Sequence, residues 1–184
     1  MRLALRPHPH FPSAVVSGIE VEAELRKGGV LALRYEAIGA PHGLSIPGQA
    51  APGRADELWR TTCFEAFLKA DGEPSYYEFN LSPSGRWAAY RFGAYREAMT
   101  DVEVGPDPAI VVETRADRLI LAADLETDSL TELGSSGSWR LGLSAVIEAG
   151  DGSKSYWALA HPPGKPDFHH GDSFALEISA HERT

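Results

Sequence analysis

Apolar and polar residues alternate with period two along most of the chain. Ile19, Val21, Ala23 and Leu25 take turns with Glu20, Glu22, Glu24 and Arg26, the pattern of a strand with one buried face and one wet face. Lys27-Gly28-Gly29 makes a turn, and Leu31, Leu33 and Tyr35 begin the next strand. Residues 39–57 hold four glycines and three prolines and read as a long loop, and long loops inside compact domains are often functional. Further strands are predicted over Thr61–Lys69, Tyr76–Leu81, Trp87–Phe92, Ala109–Thr114, Arg118–Leu125, Trp139–Glu148, Ser155–Ala160 and Phe174–Ser179. Asp71-Gly72, Ser82-Pro83-Ser84-Gly85, Arg115-Ala116-Asp117 and Gly150-Asp151-Gly152 supply the turns between them. One short helical turn is expected at Ser129–Leu133 and another near Ala94–Thr100. About ten short strands separated by turn signals predict an all-β fold, an antiparallel, jelly-roll-like β-sandwich. Residues 1–184 form one domain on this reading, with 1–13 as a proline-broken N-terminal arm.

Composition narrows the function. At 43% apolar residues the chain is globular, and a domain of this length needs no disulfide or metal to fold. Seventeen basic against 26 acidic residues give a net charge of −9, which disfavours nucleic acid and anionic membranes as partners. Cys63 is the one cysteine, so no internal disulfide forms, and a cysteine in mid-strand is expected to be a small buried apolar group. Pro7, Pro9 and Pro12 interrupt the N-terminus where a secretory signal would need an apolar run, so the expected location is the cytoplasm. His8 and His10 in that arm are expected to be solvated.

Parity points to a candidate site. In Thr61–Lys69, Phe64, Ala66 and Leu68 share one face, and Cys63, Glu65 and Phe67 share the other. In Tyr76–Leu81 the apolar set Tyr77, Phe79 and Leu81 leaves Tyr76, Glu78 and Asn80 opposite. In Trp87–Phe92, assigning Ala88, Tyr90 and Phe92 to the core leaves Trp87, Ala89 and Arg91 opposite. Short turns make the three strands neighbours, which gathers Glu65, Glu78, Asn80, Trp87 and Arg91 on one sheet face, with Trp59 joining if the first strand extends back in register. Indoles beside carboxylates and amides suit a saccharide, whose C–H faces and hydroxyls need those two chemistries. An ordinary solvent face, or a doubly buried sheet with structural ion pairs, accounts for the same pattern.

The residues Trp59-Arg60-Thr61-Thr62-Cys63-Phe64-Glu65-Ala66-Phe67 and Tyr76 to Tyr90 carry a family resemblance. So does the run from Tyr156-Trp157-Ala158-Leu159-Ala160-His161 to His169. They resemble the DOMON-like superfamily, and within it the bacterial branch related to type 9 carbohydrate-binding modules. The resemblance spans about residues 14 to 178. It implies a jelly-roll-like sandwich that binds a ligand without catalysis, a terminal sugar held between two tryptophans with a glutamate on its hydroxyls. Trp59 and Glu65 match the first tryptophan and the glutamate of that pattern, and Trp157 or Trp87 stands for the second indole.

Rival readings use other residues. Glu65 and Glu78 resemble the acid and base of a small glycoside hydrolase. The superfamily's haem branch uses a methionine and a histidine, and Met99 is the one internal methionine here. His161, Asp167, His169, His170 and Asp172 are metal-ligating types in a Pro- and Gly-rich loop, at no established ligand spacing. A more modest role for that loop, with His161 and Lys165, is a wall of the ligand site, and Tyr95 and Arg96 are placed at its edge. The expectation is therefore a non-catalytic saccharide-binding domain with no cofactor, using Trp59, Glu65, Glu78, Asn80, Trp87, Arg91, Trp157 and His161.

Overall fold

A computed structural model of the protein describes residues 1–134 and 138–179. Two sheets enclose the main core, and the period-two pattern explains both. One sheet runs β2 (Val16–Arg26), β3 (Val30–Gly39), β10 (Arg118–Glu126) and β9 (Ala109–Thr114). The other runs β4 (Gly53–Arg54), β7 (Arg86–Phe92), β6 (Tyr76–Leu81), β5 (Cys63–Ala70), β11 (Ser138–Glu148) and β12 (Lys154–Ala158). Short strands β8 (Thr100–Asp101) and β13 (Leu176–Ser179) extend the second sheet beside β7 and β11. All pairings are antiparallel except β4 with β7. The predicted β-sandwich is the observed one, and the eight strands given ranges from the sequence begin and end within a residue or two of the observed limits.

The N-terminal arm departs from expectation. Arg2–Pro7 forms β1, which pairs with β2 through Leu5↔Ile19 and then with β12 through Arg6↔Ala158. One strand thus passes from sheet to sheet and curls them into a continuous path, a recognised way of making a sandwich corner. His8, expected in solvent, is buried, with its backbone N–H donating to the Tyr156 carbonyl at 2.8 Å. Proline breaks in the arm disguised this strand because its ladder is short and ends at Pro7. The helical turn predicted at Ser129–Leu133 exists as α1 (Thr131–Gly134). The one near Ala94–Thr100 does not: Ala94 bridges Glu97, and Thr100 begins β8.

The inward faces of the two sheets meet in a core that includes Tyr35, Phe64, Phe79, Trp139 and Trp157. Trp139 is fully buried and its indole N–H donates to the Leu133 carbonyl at 2.9 Å. Tyr35, on β3, donates its phenolic O–H across the core to the Glu65 carbonyl of β5 at 2.8 Å. That bond pins the strand carrying Glu65 to the opposite sheet. Tyr35→Phe is expected to cost about 1 kcal/mol in urea unfolding with an unchanged slope, because a buried carbonyl loses its donor.

Candidate functional site

The turn Ser82–Gly85 decides which side chains of β6 and β7 share a face. Gly85, at φ +85°, lets the chain reverse, and its N–H donates to the Ser82 carbonyl at 3.0 Å. The resulting register sets Leu81 against Trp87, Asn80 against Ala88 and Glu78 against Tyr90. Cross-strand partners point to the same side. Tyr76, Glu78 and Asn80 therefore share the outer face with Ala88, Tyr90 and Phe92, and on β5 with Glu65 and Phe67.

That outer face is covered as well. Phe67, Tyr76, Tyr90, Phe92, Phe168 and Phe174 form a second, smaller apolar cluster there, roofed by residues 166–174. Where the roof parts, a cleft of about 710 Å³ opens, within the range of small-molecule sites. Glu65, Glu78 and Val146 come from the sheet at its base, and Tyr90, Phe92, Tyr156, Phe168 and His169 line its sides. Trp59 and Met99 stand at the lining with 48% and 58% of their surface exposed. The end of the long loop and the 3-10 turn Leu58–Arg60 deliver Asp56, Glu57 and Trp59. Among the described residues three non-glycines adopt left-handed backbone, Glu57, Arg96 and Ala98 (φ +59°, +55° and +50°). Glu57 and Arg96 line the cleft and Ala98 adjoins Met99. Such conformations cost energy and cluster where local geometry is functional.

The base of the cleft holds two carboxyls, each hydrogen-bonded to a neutral neighbour. Glu65 and Glu78 are 3% and 6% exposed. The Ser144 hydroxyl donates to Glu65 Oε2 at 3.2 Å, and the Asn80 amide donates to Glu78 Oε1 at 2.7 Å. Cys63 adjoins them, its sulfur 3.6 Å from the Phe64 carbonyl and 3.7 Å from Asn80 Oδ1, and burial keeps that thiol protonated by raising its pKa. The second oxygen of each carboxyl makes no hydrogen bond among the described residues and is not sealed from solvent, so it faces the cleft. Burial, and next the neighbouring Glu78, push the Glu65 pKa well above the carboxylate range. Burial raises Glu78 to about 7, against smaller opposing effects of Asn80 and Arg96.

A histidine borders the pair. The Arg96 backbone N–H donates to the Tyr76 oxygen at 3.1 Å, and Tyr76 O–H lies 2.8 Å from His169 Nδ1. With Tyr76 donating there, the neutral ring carries its proton on Nε2, which lies 3.7 Å from Glu78 Oε2. Burial, then Arg96, lowers the His169 pKa to about 4. Arg96 itself is held by Asp167 at 2.8 Å, and Tyr95 O–H also donates to Asp167, so residues 93–99 and the roof are clasped together beside the cleft.

The structure brings together Trp59, Glu65 and Glu78 of the predicted residues, with Asn80 behind Glu78. Four others lie elsewhere. Trp87 faces the inter-sheet core, with its indole nitrogen buried and without a hydrogen-bond partner. Arg91, opposite Tyr77, pairs with Glu132 of α1 at 2.7 Å. Trp157 is also in the core, its N–H donating to Ser155 at 3.0 Å. His161 lies 2.8 Å from the Arg6 carbonyl and packs edge-on to His8. The β7 parity failed because both faces of this strand are apolar, and alternation cannot choose between two interiors; pairing residues outward from the 82–85 turn sets Trp87 beside Leu81. The loop does form a wall, through Pro166, Phe168 and His169 rather than His161 and Lys165. Among the described residues no group of three His, Cys, Asp or Glu converges as a metal would require.

No family model matches the chain, and no curated protein matches it in sequence. Among solved structures it is similar to a Bacteroides uniformis protein whose carbohydrate-binding role is itself an inference, with TM-score 0.65 and 16% identity over 97% of this chain and 85% of that one. It is also similar to a family 9 carbohydrate-binding module from Caldicellulosiruptor kristjanssonii. With cellotriose bound, that module aligns at TM-score 0.56 and 11% identity over 97% of this chain and 81% of its own. With glucose bound, the values are 0.51 and 13% over 91% and 78%. At these identities the likeness is one of fold.

The carboxyl pair makes a pH prediction. Glu78 moves from 4.5 to about 7 on folding, so between those values the folded chain holds a proton that the unfolded chain has lost. Unfolding free energy contributed by this group falls as pH rises through that window. Glu78→Gln is expected to match the natural protein near pH 4 and to exceed it by roughly 3 kcal/mol above about pH 8. Urea unfolding of both proteins across the range measures the gap; His169 acts in the opposite sense in each. A gap that does not widen with pH contradicts the account.

Proposed function

We propose that the protein is a non-catalytic binding domain that takes a saccharide into the cleft above Glu65 and Glu78. The observation that carries this reading is an exposed indole at the lining of a cleft whose base offers two carboxyl oxygens that make no hydrogen bond among the described residues. A sugar presents both complements, C–H faces for Trp59, Tyr156 and Phe168, and hydroxyls for the carboxyls. The likeness of fold to modules solved with glucose and cellotriose supports it. The clamp differs from the one the DOMON-like resemblance implies. Trp59 has no second tryptophan opposite it, since Trp87, Trp139 and Trp157 are interior, and tyrosine and phenylalanine side chains line the rest.

A hydrolase would use the same two carboxyls. Such enzymes keep one carboxylate ionised in a polar setting and raise only its partner, whereas burial here raises both. The haem reading needs Met99 and a histidine on one metal axis. Met99 is exposed, and the histidine of this cleft is engaged with Tyr76.

Trp59 is the one exposed tryptophan of the four, so quenching of intrinsic fluorescence reports on it. Cellotriose or glucose is expected to give saturable quenching, and calorimetry of Trp59→Ala should show affinity reduced about tenfold or more. Chromogenic glycosides should not turn over. Absence of a saturable response across a broad panel of neutral saccharides would remove the assignment.

A further inference from the structure

We infer that the base of the cleft is built to hold a primary ammonium group, so that the preferred ligands are amino sugars; this rests on the saccharide reading above. The observation is a difference among the acidic residues that line one cavity. Asp101 is paired with Arg54 at 2.6 Å, Asp56 with the same guanidinium at 3.7 Å, and Glu57 with Arg60 at 2.7 Å. Glu65 and Glu78, the two that are buried, have no lysine or arginine within 4.0 Å among the described residues. Their inner oxygens are fixed by Ser144 and Asn80, and their outer oxygens point into the cavity. Buried carboxyls are ordinarily paired. Here the side chains nearest the outer oxygens are neutral, with His169 Nε2 at 3.7 Å from Glu78 Oε2, and the cationic complement is left to whatever enters.

The surrounding groups favour a cation over other entrants. From β7, Tyr90 donates its O–H to Asp56 at 2.7 Å, which leaves the phenolic oxygen as a further acceptor at the cleft wall, across from Glu78. Two carboxyl oxygens at the base and a phenol oxygen on the wall are the acceptor types that the N–H donors of an ammonium take. From the roof, His169 presents a neutral ring. The nearest fixed cation, Arg96, engages Asp167, and Lys154 of β12 donates to the Arg60 carbonyl at the rim. Tyr35, from the opposite sheet, and Cys63, beside Asn80 on the same face, are held protonated by burial. A hard divalent cation needs several converging oxygen ligands, and among the described residues no three His, Cys, Asp or Glu converge to hold one.

The same geometry couples binding to protons. An entering ammonium replaces protons held on the pair, so its binding releases protons and weakens below the range where Glu78 ionises, about 7. Glucose, glucosamine and N-acetylglucosamine share a ring and differ at one carbon in carrying hydroxyl, ammonium or acetamide. Calorimetry of the full chain with these three sugars and cellotriose tests the inference. Glucosamine is expected to bind about tenfold tighter than glucose or N-acetylglucosamine at pH 7, with proton release seen as a dependence of heat on buffer ionisation enthalpy. The advantage should shrink toward pH 5. In Glu65→Gln and Glu78→Gln the ratio of glucosamine to glucose affinity should fall toward one, with circular dichroism checking that each variant folds. Saturable binding of glucose or cellotriose without a glucosamine advantage at pH 7 overturns the ammonium inference and leaves the saccharide reading standing. No binding of any of the four overturns both. Glucosamine preference without proton release, or unchanged in both variants, places the ammonium elsewhere and also overturns it.

Discussion

Desolvation of two carboxyl groups is the constraint around which the β5–β6–β7 sheet is arranged. Glu65 and Glu78 lie on a sheet whose inner face packs against the second sheet and whose outer face packs beneath residues 166–174. Placing charge in such a layer costs several kcal/mol per ion unless it is compensated. The chain meets that cost in part with neutral donors, Ser144 and Asn80, and in part through the raised pKa of both groups. Cys63 and Tyr35 belong to the same arrangement: the protonated thiol packs beside the Asn80 oxygen, and the phenol ties the Glu65 backbone to the opposite sheet.

The second apolar layer gives the cleft its chemistry. An antiparallel sheet with one wet face would screen Glu78 and leave it an ordinary carboxylate. The roof, clasped through Asp167 to Arg96 and Tyr95, excludes water from one side of the pair and from His169. Opposed shifts of neighbouring groups follow from one cause. Burial disfavours charge, so it raises the acids and lowers the imidazole, and a histidine 3.7 Å from a carboxyl remains a neutral neighbour instead of an ion-pair partner. Whatever binds there meets donors and acceptors whose charge it can change.

The rim is built on different terms. Its acids are exposed and matched with arginines, and Trp59 lies under the Arg60 guanidinium at 5.1 Å. Exposed ion pairs contribute little to stability. They do fix the loop ends that carry Trp59 and Met99, together with the left-handed residues at 57, 96 and 98. The rim's acids thus have cationic partners, whereas the two carboxyls at the base are held by neutral donors alone.

Period-two alternation determined the strands, their faces in β5 and β6, and the grouping of Glu65, Glu78 and Asn80, because a strand's side chains must alternate whatever surrounds it. The Gly- and Pro-rich segment 39–57 likewise marked a loop that contributes to the site. Alternation had no power over β7 or β12, where Trp87 against Tyr90 and Trp157 against Tyr156 offer apolar residues on both sides. There the hairpin register and the roof decided which ring faces the core and which the cleft. Partners distant in sequence, such as Arg6 for His161 and Glu132 for Arg91, were likewise set by tertiary packing. The unusual acidity of the pair was also beyond the sequence, since it depends on how much water the assembled layers remove.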